Sequence, residues 1–268
     1  MQRPFRFGVV APLMTDLRSW LEQVRRIADN GYATVLVPDF PQLQPAPGPT
    51  LATAAAVSDL RVGTWVYASP LRPAWLTAWE AHSLSRLTEG RFELGIGFGR
   101  PGIEDELREK GQPIPSPSQR LADVRETIRI LRSLEDPARP TPVAMAVRGP
   151  WALALAAEVA DTVTFAQLPG EPRTEVARLA REIRASRDVE LALHVSIFGD
   201  RVAAFMAPSD TDTSAAHEAA SLAALPADRS AAVEELHRRR EEIGFSYVVM
   251  GADVADEFAP VVGELAGT

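Results

Sequence analysis

The chain has 268 residues, 46% hydrophobic and 24% charged, the mix of an ordinary globular protein long enough to bury a substantial core. Its formal net charge of -8 disfavours general nucleic-acid binding, and no apolar run reaches membrane-spanning length. Cysteine is absent and Lys110 is the only lysine, which removes disulfides, thiolate chemistry and cysteine metal sites and leaves little room for a Schiff base. The start, "MQRPFRFGVV", is too short and too polar for a secretory signal, so the cytoplasm is the expected location.

Strand-like and helix-like stretches alternate along the chain. "RFGVVA" (residues 6–11) reads as a buried strand. The next stretch places Leu17, Trp20, Leu21, Val24 and Ile27 on one helical face and ends at Asn30-Gly31. "TVLVPDF" (34–40) is the second strand, followed by a Pro-rich loop and a short Ala-rich helix near 51–57. "RVGTWVYAS" (61–69) is the third, and its helix runs over about 73–87. "RFELGIGFG" (91–99) is the fourth. Residues 100–117 are polar and Pro-rich and read as a long loop. Helical spacing returns at Leu121, Val124, Ile128, Leu131 and Leu134. "PVAMAVR" (142–148), "DTVTFAQ" (161–167), "VELALHVSIF" (189–198) and "FSYVVMG" (245–251) are strands five to eight. Helices follow them after Pro150, over roughly 172–187, over 228–243 and at the end of the chain, with a loop-like or weakly helical 207–222 between.

Eight strands, each followed by a helix, predict a single (β/α)8 TIM barrel spanning 1–268, near the usual length of about 250 residues for that fold. The text "GFGRPG" (97–102) also matches the G-x-G-x-x-G dinucleotide fingerprint. Its neighbours argue against that reading. The strand before it is the fourth, and the segment after it, "IEDELREKGQPIP", is acidic where a pyrophosphate would sit. The barrel reading makes Gly95 and Gly97 space-makers inside the barrel and Gly99 the outward turn at its C-terminal rim.

"LSRLTEGRFELGIGFGR" (84–100) resembles the segment L-D-x-L-S-x-G-R-F-x-L-G-x-G-x-G of the bacterial luciferase-like superfamily. "FRFGVVAP", "ADNGYATVLVPDF", "LRVGTWVYASPLRPAWLTAWEAHSL" and "AMAVRGPWALALAAEVADTVTF" are similar to its other characteristic segments, so the likeness covers nearly the whole chain. The resemblance implies a TIM-barrel oxidoreductase that uses FMN or the deazaflavin F420, and the Arg-, Ala- and Pro-rich composition favours F420. It implies that the ring lies over the strand ends, near a non-proline cis peptide that falls by position at Trp65–Val66. Trp65 is alternatively a plain barrel residue packed against helices. The cofactor-binding set implied is Asp39, Trp65, Val66, Gly97, Gly99, Arg148, Gly149 and Trp151.

The phosphate is expected at "VRGPW". Gly149 permits close backbone approach, Pro150 suits a first helical turn, and the free N–H groups of that helix with Arg148 attract an anion. A bare strand-to-helix turn with a solvent-facing arginine is the other reading.

Two positions depart from the family. Asp39-Phe40 stands where members carry Asp-His, and Arg100 stands where the sugar-phosphate dehydrogenases keep a Glu. Alcohol dehydrogenation is therefore disfavoured, since it needs a proton-moving group near neutral pH. His194, Arg100 and Tyr67 remain as catalytic candidates. His194 faces the site or the outer strand face. Arg100 binds an anion or forms a rim salt bridge to Glu104 or Asp105. Tyr67 donates a hydrogen bond or packs in the core. His82 is read as packing, His217 and His237 as surface, and no histidine pair has metal-ligand spacing.

The expected function is transfer of hydride or oxygen to a small organic substrate. The alternatives are a cofactor-free relative catalysing a non-redox step such as a cyclisation, and a non-catalytic flavin-binding homologue. The resemblance implies a homodimer paired through early helices; the apolar "PAWLTAWEAHSL" helix either supplies that surface or packs on its own barrel.

Overall fold

In a computed structural model, residues 2–166 and 170–268 are described. In chain order the elements are β1 (Arg6–Val10), α1 (Leu17–Asp29), β2 (Thr34–Val37), α2 (Pro47–Val57), β3 (Arg61–Thr64), β4 (Tyr67–Ala68), α3 (Ala74–Leu87) and β5 (Phe92–Gly97). Then come α4 (Ile103–Glu109), α5 (Pro117–Leu134), β6 (Val143–Val147), α6 (Pro150–Val159), β7 (Thr162–Phe165), α7 (Arg173–Ser186) and β8 (Glu190–Val195). The chain ends with β9 (Ile197–Phe198), β10 (Arg201–Val202), α8 (Thr213–Glu218), β11 (Ala224–Leu225), α9 (Arg229–Glu242), β12 (Phe245–Gly251) and α10 (Ala255–Leu265).

The neighbour order β3-β2-β1-β12-β8-β7-β6-β5-β4, all parallel, is closed by pairing of β3 with β5. With β3 and β4 as two halves of one strand, eight strands form the (β/α)8 barrel that the sequence predicts. Outward residues such as Phe7, Val9, Val35 and Val62 are fully buried beneath the helices. Helix α1 starts where Asp16 accepts hydrogen bonds from the backbone N–H groups of Arg18 and Ser19, and it buries Trp20, Val24 and Ile27.

The barrel floor is ionic. Arg6 on β1 reaches across to Glu93 on β5 (2.7 Å) and Glu190 on β8 (2.6 Å), and its guanidinium stacks 3.6 Å from the centre of the Tyr247 ring. Arg61 closes on the same Glu93, and Thr162 Oγ1 donates to Glu190. Buried charges are tolerated only when paired in this way. Above the floor, glycines make room. A methyl group on Gly8 would stand 2.5 Å from the Tyr247 hydroxyl, and one on Gly95 would collide with the Thr64 carbonyl oxygen.

Three expectations change. The run 61–69 is not one strand but two, separated by the cis peptide Trp65–Val66. The expected loop at 100–117 contains α4. Its acids Glu104, Asp105 and Glu106 complement the positive end of that short helix, and Ile103, Glu106 and Leu107 form its buried face, with Ile103 and Leu107 packed on Ala68 and Leu71. The expected strand 189–198 divides into β8 and β9, and β9 joins β10 and β11 in an extra three-stranded sheet, β10-β9-β11, that was not expected. Gln167, placed at the end of the predicted sixth strand, lies outside the described residues.

Candidate active site

The C-terminal ends of the strands gather most of the predicted residues at one mouth. At the end of β2, Asp39 is buried and committed. Its carboxylate accepts a two-pronged pair from Arg72 (2.8 and 3.0 Å) and the N–H of Ala68 (3.0 Å). Tyr67 is buried beside it. Its hydroxyl donates to Glu80 of α3 at 3.0 Å, Arg72 lies 4.1 Å over its ring, and burial together with Glu80 pushes its pKa well up. Asp39, Arg72, Tyr67 and Glu80 thus form one buried network that holds β4 against β2 and α3. Arg72 and Glu80 were not among the predicted site residues; Arg72 sits in "PLRP" with no local signal of its partner.

Trp65 points into the barrel, not toward the helices. Its indole meets the Tyr247 ring edge-on with centroids 6.2 Å apart, and its N–H lies 3.5 Å from Nδ1 of His194. The other nitrogen of His194, Nε2, is 3.0 Å from the Met206 carbonyl oxygen. An indole N–H only donates, so Nδ1 accepts and Nε2 carries the hydrogen. Burial lowers the His194 pKa, against the smaller upward pull of the Met206 carbonyl. The site therefore holds a neutral imidazole.

Arg100 leaves β5 at the same mouth. Its guanidinium lies 4.3 Å from the centre of the Phe40 ring and pairs with Glu106 of α4. The partner is neither of the acids expected: Glu104 is taken by Arg120 and Asp105 by Arg108. The turn of α4 that orients Glu106 inward decides this. Gly97 leaves space for Val66, whose Cγ2 would stand 3.0 Å from a methyl group there. Gly99 is exposed, with φ 104°.

The third part is the start of α6. Gly149 is its N-cap with φ 83° and ψ 167°, Pro150 opens the helix, and no side chain caps its free N–H groups. A methyl group on Gly149 would meet nothing within 4 Å. Arg148 is exposed and makes no ion pair or hydrogen bond among the described residues, and Trp151 is 77% exposed. An open backbone, a guanidinium with no partner among the described residues and a helix N-terminus thus lie side by side.

Residues 203–206 form a strap over the mouth that has no counterpart in the sequence reading. A methyl group on Gly251 would touch Ala203 and Met206, the Ala204 N–H donates to Asp253 (2.9 Å), and Phe205 packs on Phe40 with centroids 6.2 Å apart. Of the other histidines, His217 binds the Gly199 carbonyl oxygen and His237 lies edge-on to Phe5, both away from this mouth. Among the described residues no group of His, Asp or Glu is arranged to hold a metal ion, and no helix is long and apolar enough to cross a membrane.

A TIM barrel with aromatic residues, an imidazole and an open helix N-terminus at its C-terminal mouth has the layout of a barrel enzyme acting on small molecules. The luciferase-like monooxygenase family model matches residues 4–247, and the chain belongs to that family. Solved structures of the same fold include an F420-dependent secondary alcohol dehydrogenase in complex with an F420-acetone adduct, 17% identical, with TM-score 0.72 over 98% of this chain and 99% of that one. The coenzyme F420-dependent tetrahydromethanopterin reductase of Methanopyrus kandleri is 15% identical with TM-score 0.71, covering 98% of both chains. EDTA monooxygenase from Chelativorans sp. BNC1 is 13% identical with TM-score 0.66, covering 98% of this chain and 94% of that one. No curated protein matches the chain.

Proposed function

We propose that this protein is a reductase or monooxygenase that holds F420, or alternatively FMN, with its phosphate on Arg148 and the N-terminus of α6. The observation that carries this is the cradle itself: Gly149 is open, Arg148 has no partner among the described residues, and no side chain caps the helix end. The donor set suits a phosphate, which both cofactors carry. Trp151, exposed in the first helical turn, supplies a flat apolar face beside it. When bound, such a cofactor supplies a hydride donor or acceptor. The chain's own residues do the rest. Trp65 and Phe40 wall the mouth and exclude water. His194 holds a hydrogen at Nε2 that reaches a substrate once the Met206 carbonyl moves aside. Arg100 offers a positive charge at the rim that Glu106 only partly satisfies. Asp39 and Tyr67 act through Arg72 and Glu80 as supports and do not touch the ring.

Titration with F420 and with FMN, followed by absorbance and fluorescence, tests this reading. Saturable binding that Arg148→Ala weakens by about 10- to 100-fold supports it. Turnover with F420H2, or with NAD(P)H plus FMN, then separates an enzyme from a non-catalytic binder. Failure of both cofactors to bind or to shift the melting temperature overturns it. A second reading, cofactor-free non-redox catalysis, is favoured by one observation: the Trp65 indole turns inward onto Tyr247, and the Met206 carbonyl of the strap closes on His194. Under this reading the same titrations are silent while a substrate still turns over. We further place the protein in the cytoplasm as a homodimer, joined through α3, where Trp75 and Trp79 are each 58% exposed one turn apart. Sedimentation at micromolar concentration, with Trp79→Lys as control, checks the assembly.

A further inference from the structure

Beside the mouth, on the far side of the strap, lies a second cavity of about 340 Å³ that none of the candidate residues above explains. It runs between α1 and residues 204–205 and is floored by Val10 and Ala252 at the ends of β1 and β12. Barrel enzymes bind ligands at this end of the strands, and the volume lies at the lower end of the roughly 300–1,000 Å³ that small-molecule pockets span.

Its chemistry is uneven. Met14 and Phe205, which are 51% and 37% exposed, form two apolar walls. Ser19, Gln23 and Arg26 come from one face of α1, the stripe that adjoins the buried residues Trp20, Val24 and Ile27. Of the charged groups, Arg26 is ion-paired with Asp256 at 3.3 Å, while the Asp253 carboxylate has only the Ala204 backbone N–H among the described residues and makes the cleft unfavourable to an anion. Ser19 Oγ is held by Asp16. The Gln23 amide and the Thr15 hydroxyl have no partner among the described residues and stand ready for a ligand. Phe205 divides this cavity from the mouth. Its ring packs on Phe40 on one side and lines the cavity, and its backbone sits at φ 63°, a region that bulky residues rarely adopt.

We propose that this cleft is a binding pocket for a neutral, flat, mainly apolar molecule with one hydrogen-bonding edge, and that Phe205 is its wall toward the barrel mouth. That the occupant is the enzyme's substrate rests on the oxidoreductase reading; the binding itself does not.

N-phenyl-1-naphthylamine, a neutral aromatic whose fluorescence rises in apolar surroundings, is the probe. 8-Anilinonaphthalene-1-sulfonate, nearly the same shape with a negative charge, is its comparison. The wild-type protein is expected to bind the neutral probe saturably, one molecule per chain, and about tenfold or more tightly than the sulfonate. Ala204→Trp and Gln23→Trp, both checked for an unchanged melting temperature, fill the cleft from opposite sides and are expected to weaken the neutral probe by about tenfold or more. Arg148→Ala is expected to leave it unchanged. Absence of saturable binding, equal binding by both filled variants, or tighter binding of the sulfonate overturns the proposal. A failed cofactor reading shows instead in the FMN and F420 titrations and leaves the probe result standing.

Discussion

The indole N–H of Trp65 faces Nδ1 of His194 at 3.5 Å, joining residues 129 positions apart in the chain. Nε2 of the same ring is tied to the Met206 carbonyl oxygen, so neither nitrogen is free to take a second hydrogen. Protonation would set an N–H against the indole N–H. The native state therefore resists a proton that the unfolded chain accepts near the ordinary value of 6.5. By linkage, stability falls as pH drops through 6.5 and levels off once the folded imidazole also titrates. Urea unfolding between about pH 5 and 8 should show this slope, and His194→Gln should flatten it. In an NMR titration, His194 should titrate below the ordinary imidazole value; a value at or above 6.5 would sink the assignment.

Arg148→Ala removes one exposed guanidinium with no partner to strand. The melting temperature should not move, because isolated surface changes lie within about ±0.5 kcal/mol. Affinity for FMN or F420 should fall by about 10- to 100-fold, the range for one charged hydrogen bond. Fluorescence titration measures it, and unchanged affinity would remove Arg148 from the site.

Gly149→Ala tests the backbone of the cradle separately. The added methyl meets nothing within 4 Å, so the cost is conformational, at φ 83° and ψ 167°. The loss should be about 1–3 kcal/mol in a denaturant unfolding experiment. A neutral result would mean that the turn relaxes.

Asp39→Asn should destabilise the fold by about 3–5 kcal/mol, because it strands the Arg72 guanidinium in a largely buried setting. The protein that still folds should keep its cofactor affinity. A stable Asp39→Asn protein that no longer binds cofactor would reverse the assignment and return Asp39 to the binding site.

Strand and helix periodicity made the barrel legible, because a repeating β/α alternation of this length has few ways to close. The strand-to-helix turn at "VRGPW" was legible for a related reason: Gly and Pro act there through local backbone geometry. Arg100 was located, but its partner was not. The choice among Glu104, Asp105 and Glu106 depends on which way one turn of α4 faces, and α4 itself was read as loop. Tyr67 and Asp39 were placed correctly at strand ends, yet their side chains turn to Glu80 and Arg72, which no spacing rule links to them.

The sequence by itself determined the alternation of the eight barrel strands with helices, the closed barrel, the family and the glycines that make room inside, since each follows from local propensity and short-range pattern. Only the tertiary structure decided that Trp65 turns inward onto His194, and that residues 203–206 cross the mouth. Only it opened a cleft between Phe205 and α1. Trp65 on His194 and Phe205 on Phe40 join segments 129 and 165 residues apart, where the partner is chosen by packing around a closed barrel and not by any neighbour in the chain.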